Sequence, residues 1–389
     1  MASTTLELRI ESLAAGGDGV AHDSQGRVLF VPLTAPGDLV RVRVLVSRKR
    51  FARGEVLEIL ERGPGRIEPG CSAFAVCGGC AWQHVSYPDQ VSAKARIVAD
   101  ALERIGRLGV TEVPITPSPS AWGYRSRARL VQEGAALGYR MRRSHAVCVV
   151  KECPVLDPRL EAGLSRELPA WEGEEPREWE LVTSSDGSAR VRPTDEAIPA
   201  GVDAAEIQVG DDRLRLSHGV FAQANSKLIA PLAAAVLREA TGGGAKTSAL
   251  ELYAGAGLFT LGLARSFDCV WAIESHPGAV ADLRFNLERS GATNVDIREG
   301  IVEDVLSRLQ VHSPDTLVLD PPRAGASEEA LEQIGALRAR RIVYLSCDPA
   351  TLARDLGRLR DGGYQLRNVE AFDLFPHTPH VEALATLTL

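Results

Sequence analysis

From about residue 221 onward, short apolar runs alternate with helix-periodic segments, and that alternation limits the architecture of this chain more than any other feature. SALELY, CVWAIE, NVDIREG, TLVLD and RIVYLSC have the length of strands, while ADLRFNLERSG, SEEALEQIGAL and PATLARDLGRL place apolar residues on one helical face. Strands alternating with helices predict a parallel sheet with helices on both faces, because buried strands need apolar cover on each side. In such a sheet a ligand sits beyond the carboxyl ends of the strands, near the point where the strand order reverses. Those ends are where chemistry is expected.

The first of these strands closes with Glu251-Leu-Tyr-Ala-Gly255-Ala-Gly257-Leu-Phe-Thr and opens a helix, and Glu274 ends the next strand, nineteen residues after Gly255. Glycines let a ligand approach the backbone at a helix N-terminus, and the acid can accept hydrogen bonds from ribose hydroxyls, so the pattern is one for binding a nucleoside. A dinucleotide fingerprint would put a third glycine at position 260, where this chain has Thr, which disfavours a hydride-transfer cofactor. The fourth strand delivers Asp320-Pro-Pro-Arg323, a carboxylate fixed at the sheet edge by prolines that continue neither helix nor strand.

The fifth strand delivers Cys347 just ahead of Asp348-Pro349, where a helix begins. A helix N-terminus is expected to lower a thiol's pKa, and the thiolate is the form that attacks, so Cys347 reads as a nucleophile. Near the end, Phe375-Pro-His377-Thr-Pro-His380-Val-Glu382 brings a carboxylate and two imidazoles together before the last strand. Glu382 reads as the general base that removes a carbon-bound proton; the two histidines lack the further ligands that would complete a metal site.

The N-terminal 60 or so residues carry a different pattern: period-2 runs such as TLELRIESL, GRVLFVPL and DLVRVRVLVSRKR broken by GGDG, APGD and ARG, which predict a small antiparallel barrel. The net charge of −7 argues against nucleic acid as a partner only if charge is spread evenly. It is not: Arg41, Arg43, Arg48, Lys49, Arg50 and Arg53 occupy a stretch with no acid, and Arg125, Arg127, Arg129, Arg140, Arg142 and Arg143 form a second cluster. Of these, Arg48, Lys49, Arg50, Arg125 and Arg127 are the candidate nucleic-acid contacts. Between the clusters, Cys71, Cys77 and Cys80 crowd a Gly-rich segment, with Cys148 and Cys153 downstream, and such thiols read as iron-sulfur or zinc ligands. A helix follows at about 88–108, and strand-like runs with Pro-rich breaks fill 112–220. No apolar run is long enough to span a bilayer and the first residues lack a signal core, so a cytoplasmic protein with no membrane partner and no evident obligate protein partner is expected.

Taken together, these motifs resemble the bacterial RNA uracil-5-methyltransferases, especially the 23S rRNA members with an N-terminal TRAM domain and a [4Fe-4S] cluster, over essentially the whole chain. CSAFAVCGGCAWQH resembles the cluster loop of that family, and ECPVL makes Cys153 rather than Cys148 the fourth ligand. GVFAQAN places Gln223 at a cofactor-binding position, with Tyr253, Glu274 and Asp320 at others; YLSCDPATLARD resembles the nucleophile motif and LFPHTPHVE the base motif. Two positions depart from the family pattern, Leu258 where relatives carry Asn, and Gly300-Ile301 where a polar side chain is usual.

The resemblance implies a multidomain α/β fold: a TRAM-like, OB-like β-barrel over 1–63, a β-rich central iron-sulfur and RNA-binding domain over 64–84 and 112–220, and a Rossmann-like class I methyltransferase domain over 85–111 and 221–389. It implies S-adenosyl-L-methionine as cofactor, an iron-sulfur cluster, and RNA as substrate, ribosomal before transfer RNA. The reaction implied is addition of Cys347 to uracil carbon 6, methylation at carbon 5 and proton removal by Glu382. The competing readings are an amino-group methyltransferase, which needs no thiol; a 5-methylcytosine enzyme; and a non-catalytic RNA-binding assembly factor.

Overall fold

The structure, a computed structural model, describes residues 4–164, 171–311 and 313–389. Its largest sheet has eight strands: β1 (Ile115–Thr116), β2 (Ser248–Leu252), β3 (Cys269–Glu274), β4 (Val295–Glu299), β5 (Thr316–Leu319), β6 (Arg341–Ser346), β7 (Gln365–Phe372) and β8 (Glu382–Thr388). They lie in the order β4-β3-β2-β5-β6-β8-β7-β1. β2 to β6 pair in parallel, as the alternation requires, and only β8 runs antiparallel to both neighbours. The order reverses between β2 and β5, which sets the switch point at their carboxyl ends.

Side chains alternate across this sheet. Leu250, Leu252, Leu317, Leu319, Ile342 and Tyr344 face a core shared with helices α1 (Tyr87–Arg104), α5 (Glu328–Leu337) and α6 (Pro349–Asp361). Ala249, Val318, Val343 and Leu345 face a second core with α2 (Ile229–Thr241) and α3 (Thr260–Ser266), beyond which lies α4 (Pro277–Ser290). Leu250, Leu317 and Leu319 are fully buried, and truncating any of them to Ala is expected to cost about 2–5 kcal/mol.

Helix α1 is distant in sequence from this sheet yet packs on it. Its start is capped by Ser86, which accepts a hydrogen bond from the Asp89 N–H. On its buried face Lys94, wholly inaccessible, forms an ion pair with Asp373, the residue after β7. A buried charge needs such a partner, so the pair fixes where α1 docks.

The N-terminal segment forms a six-stranded sheet around Leu8, Ile10, Ala21, Leu29, Val31, Val40, Val42 and Ala52. A second, five-stranded antiparallel sheet runs in the order Val147–Val149, Ala136–Arg140, Arg127–Glu133, Arg177–Thr183, Ala189–Pro193. The structure departs from the sequence reading of 112–220 at both ends. Ile115–Thr116 is an edge strand of the main sheet, paired with Ala371 and Phe372. The hairpin Ala205–Val209 and Asp212–Leu216 docks on α4: the Arg215 N–H donates to Asn286 Oδ1 at 2.8 Å and Val209 and Leu214 pack with Leu283 and Leu287. Short period-2 runs announce strands but not the sheet they join.

Candidate active site

A cavity of about 590 Å³ opens at the switch point. One wall is the turn after β2, where Tyr253, Gly255 and Gly257 all adopt positive φ, of 62°, 56° and 98°. At Gly255 a side chain would point into open space, whereas at Gly257 a Cβ would meet Leu283 Cδ1 at 2.7 Å. Gly257 is therefore required by crowding behind the turn; it shapes the wall without lining it. Glu274, at the end of β3, holds the turn in place: Oε2 accepts from the Gly255 N–H at 2.8 Å and Oε1 from Ser275 and His276 N–H at 2.8 and 2.7 Å. A carboxylate has about four acceptor positions, so capacity remains for a ribose hydroxyl.

The cavity also gathers Gln223, Asp320, Arg323, Cys347, His380 and Glu382. Burial pushes both Asp320 and Glu382 above the usual carboxylate range, and the Asp320 charge raises Glu382 further while Arg323 opposes it. Buried acceptors without a donor, Gln223 Oε1 and Glu382 Oε2, stand among these residues. Such atoms are costly to leave unpaired, so the cavity fits a ligand that carries hydrogen-bond donors. S-adenosylmethionine, with its ammonium and ribose hydroxyls, is such a ligand.

Cys347 corrects one sequence expectation. Its thiol is pushed up to about 12, by burial first and by the Glu382 and Asp320 charges next. At the start of α6 the Asp348 carboxylate caps the helix, accepting from Ala350 and Thr351 N–H at 3.0 and 3.1 Å. Those two amides are therefore engaged by a carboxylate.

Sequence reasoning missed part of the cavity. The hairpin contributes Ile207, Leu214 and Leu216, and Phe221, 70% exposed, stands at the lip with the Arg127 guanidinium 6.0 Å from its ring centre. An exposed aromatic two residues before Gln223 was the available signal.

Cys71, Cys77, Cys80 and Cys153 line a second, small cavity with Gln83, Arg125 and Tyr139, while Cys148 is buried in the neighbouring core and does not line it. Burial pushes Cys77 up to about 12 and Cys80 up to about 11. Among the described residues, no three His, Cys, Asp or Glu side chains stand close enough to hold a single metal ion. The donor set is nonetheless four thiols with no carboxylate on the wall, the chemistry of an iron-sulfur or zinc ligand set.

The five candidate RNA contacts divide. Arg48, Lys49 and Arg50 are exposed at the tip between strands Leu39–Ser47 and Phe51–Glu61, while their neighbours Arg41 and Arg43 pair with Glu7, Glu58 and Glu55 across the sheet. Arg125 and Arg127 are not free surface cations, which corrects their reading. Arg125 Nε donates to the Arg127 carbonyl and its side chain lines the cysteine cavity, and Arg127 pairs with the buried Glu180. Sequence clustering sees charge but not the partners that consume it. No helix among the described residues is long and apolar enough to cross a membrane.

Residues 202–388 match the tRNA (uracil-5-)-methyltransferase family and residues 1–57 match the TRAM domain. An uncharacterized RNA methyltransferase of Gloeobacter violaceus is 34% identical, over 98% of this chain and 96% of its own length. One from Streptomyces avermitilis is 35% identical, over 98% and 97%. Among solved structures, Pyrococcus abyssi tRNA (uracil-54, C5)-methyltransferase in complex with S-adenosyl-L-homocysteine superposes with a TM-score of 0.73 at 23% identity, covering 98% of this chain and all of that one, a likeness of fold. The chain thus belongs to the RNA (uracil-5-)-methyltransferases that carry an N-terminal TRAM domain.

Proposed function

We propose that this protein methylates carbon 5 of a uridine in RNA through a covalent adduct with Cys347, with Glu382 as the base. The observation that carries this reading is the meeting of Cys347, Asp320 and Glu382 in the cavity that the glycine turn also lines. Uracil carbon 5 is a weak nucleophile. Addition of the Cys347 sulfur to carbon 6 forms an S–C bond and moves the double-bond pair into an enolate, which makes carbon 5 electron-rich. The thiol proton passes to the neighbouring Asp320 carboxylate, which leaves the Glu382 carboxylate free for the later proton. S-adenosylmethionine, when bound, supplies an electrophilic methyl group on a sulfonium, and Gln223, Tyr253, Gly255, Glu274 and Asp320 are the residues that would hold it, with Gly257 shaping the turn behind them. Asp320 also stands where it can orient the uracil edge. After carbon 5 takes the methyl, the Glu382 carboxylate removes its proton, the C–H pair restores the ring double bond, and Cys347 leaves as thiolate.

A stacked base offers no access to its ring face, so the target must be single-stranded or flipped, and Phe221 at the lip offers an aromatic surface to a base outside the stack. Cys71, Cys77, Cys80 and Cys153 would hold a [4Fe-4S] cluster in a structural and RNA-positioning role. Ribosomal RNA is the proposed substrate, from the pairing of TRAM barrel with a four-cysteine lobe. Transfer RNA is the second reading, favoured by the description of the matching family and by the substrate named for the Pyrococcus abyssi enzyme.

RNA containing 5-fluorouridine tests the mechanism, because fluorine blocks the proton-removal step. Incubation with S-adenosylmethionine is expected to trap a protein–RNA adduct one methyl group heavier than the sum of the parts, mapped to Cys347 and absent from Cys347→Ala. An unmodified Cys347 in protein that still methylates uridine would overturn the reading.

A further inference from the structure

The segment from Asp373 to Glu382 leaves β7, crosses the rim of the reaction cavity with His380, and returns as β8 at Glu382. Three consecutive carbonyls on it are held from outside the main sheet. Lys94 Nζ on α1 donates to the Phe375 carbonyl at 2.8 Å, Tyr124 Oη to the Pro376 carbonyl at 3.0 Å, and both the Ala81 and Trp82 N–H groups to the His377 carbonyl at 2.8 and 2.9 Å. Ala81 directly follows Cys80 of the cysteine cavity. His377 itself has φ of 65°, a left-handed conformation that a non-glycine residue keeps only when its surroundings enforce it.

One side chain reaches all sides of this junction. Gln90, on α1 and wholly buried, accepts the His377 N–H at Oε1, 2.7 Å away. Its Nε2 lies 3.0 Å from the Trp82 carbonyl, 2.8 Å from the Val85 carbonyl and 3.2 Å from His377 Nδ1. The two amide hydrogens are thus shared by the turn that follows the cysteine loop and by the loop that leads to Glu382. The Trp122 ring, 4.0 Å from the His377 ring, closes the remaining side. No other residue type offers an acceptor and two donors in one plane at this length.

We propose that Gln90 is a positioning residue: through His377 it sets the placement of the loop carrying Glu382, and it ties that placement to the cysteine-lined lobe. The proposal rests on Glu382 being the base. Gln90 does not line the reaction cavity, so its loss should misplace the base while leaving the glycine turn intact.

The experiment compares Gln90→Leu and the isosteric Gln90→Glu with Glu382→Gln, all in full-length protein. Glu keeps the acceptor for the His377 N–H and loses both donors. For Gln90→Leu we expect kcat to fall by about 10²-fold, as for a small displacement of a reacting group. Cofactor Kd should stay unchanged, a methylated protein–RNA adduct should accumulate on denaturing gels because proton removal is slowed, and amide hydrogen exchange should speed up across 375–382. Gln90→Glu should recover part of kcat and of the exchange protection. Should Gln90→Leu unfold, Gln90→Glu alone carries the test through its adduct and exchange. Normal kcat and unchanged exchange in a folded Gln90 variant would overturn the proposal, as would a loss confined to cofactor affinity. If Glu382→Gln itself accumulates no adduct, the base assignment fails and not the role of Gln90 in holding the loop, which the exchange data still report.

Discussion

Two cavities in this protein hold partly buried thiols, and desolvation pushes Cys347 in one and Cys77 in the other up to about 12. Acidity alone therefore does not separate the proposed nucleophile from the proposed metal ligand. Neighbours do. Cys347 shares a cavity of about 590 Å³ with Asp320, Glu382, Arg323 and His380, groups able to receive and return protons. Cys77 shares a narrow one with three further cysteines, Arg125 and Tyr139, and no carboxylate lines it. The first surrounding suits a thiol that loses and regains a bond in each turnover; the second suits thiolates held permanently by a cation, with a guanidinium balancing their charge.

The comparison breaks most directly at its nucleophile. Cys347→Ala is expected to lower methyl transfer by at least about 10⁴-fold, as loss of a covalent nucleophile does, while isothermal titration still shows cofactor binding. Wild-type turnover in that variant would reduce Cys347 to a partly buried thiol like any other. Glu382→Gln comes next, with a fall in kcat of about 10²–10⁴-fold and a persistent RNA adduct, since the general base acts only after the methyl has moved.

The same substitution sharpens the contrast through stability. Folded Asp320 and Glu382 bind protons more tightly than unfolded carboxylates, whose pKa lies near about 4. Their stabilising contribution is complete below that value and is lost as pH rises through the raised folded values. Without ligand, Glu382→Gln should therefore melt higher than the native protein at pH 8, with the gap narrowing at pH 5. A pH-independent gap would mean that the pair does not carry the charge burden assigned to it.

In the other cavity, Cys80→Ser and Cys153→Ser should lower bound iron and acid-labile sulfide, whereas Cys148→Ser, off the cavity wall, should leave both unchanged. Equal iron in all three would remove the cysteine lobe as a cluster site. The smallest effect is expected at the barrel tip: each of Arg48, Lys49 and Arg50 replaced by Ala should weaken RNA binding and reduce the salt slope by about one unit, with little change in kcat.

The main sheet was readable in sequence because buried parallel strands and amphipathic helices carry strong, local periodicities, from SALELY to RIVYLSC. The cavity residues at strand ends, Glu274, Asp320 and Cys347, were readable for the same reason: a known fold fixes where its ligand edge lies. What sequence did not carry were partners. Arg125 and Arg127 looked like surface charge, yet one borders the thiols and the other is consumed by Glu180. The α6 terminus looked able to activate Cys347, yet Asp348 caps it. The hairpin Ala205–Leu216 and the strand Ile115–Thr116 looked like parts of the central unit because a strand's pattern is silent on its pairing partner. Gln90 gave no signal at all, since its four contacts join residues between 5 and 287 positions away.

The central claim is tested most directly by mass spectrometry of nucleosides from ribosomal and transfer RNA after incubation with the protein and isotope-labelled S-adenosylmethionine, beside Cys347→Ala. The account predicts label in 5-methyluridine of one RNA, ribosomal first, that disappears in the variant. Label in 5-methylcytidine or in an N-methylated base, or 5-methyluridine formed equally by Cys347→Ala, would contradict it.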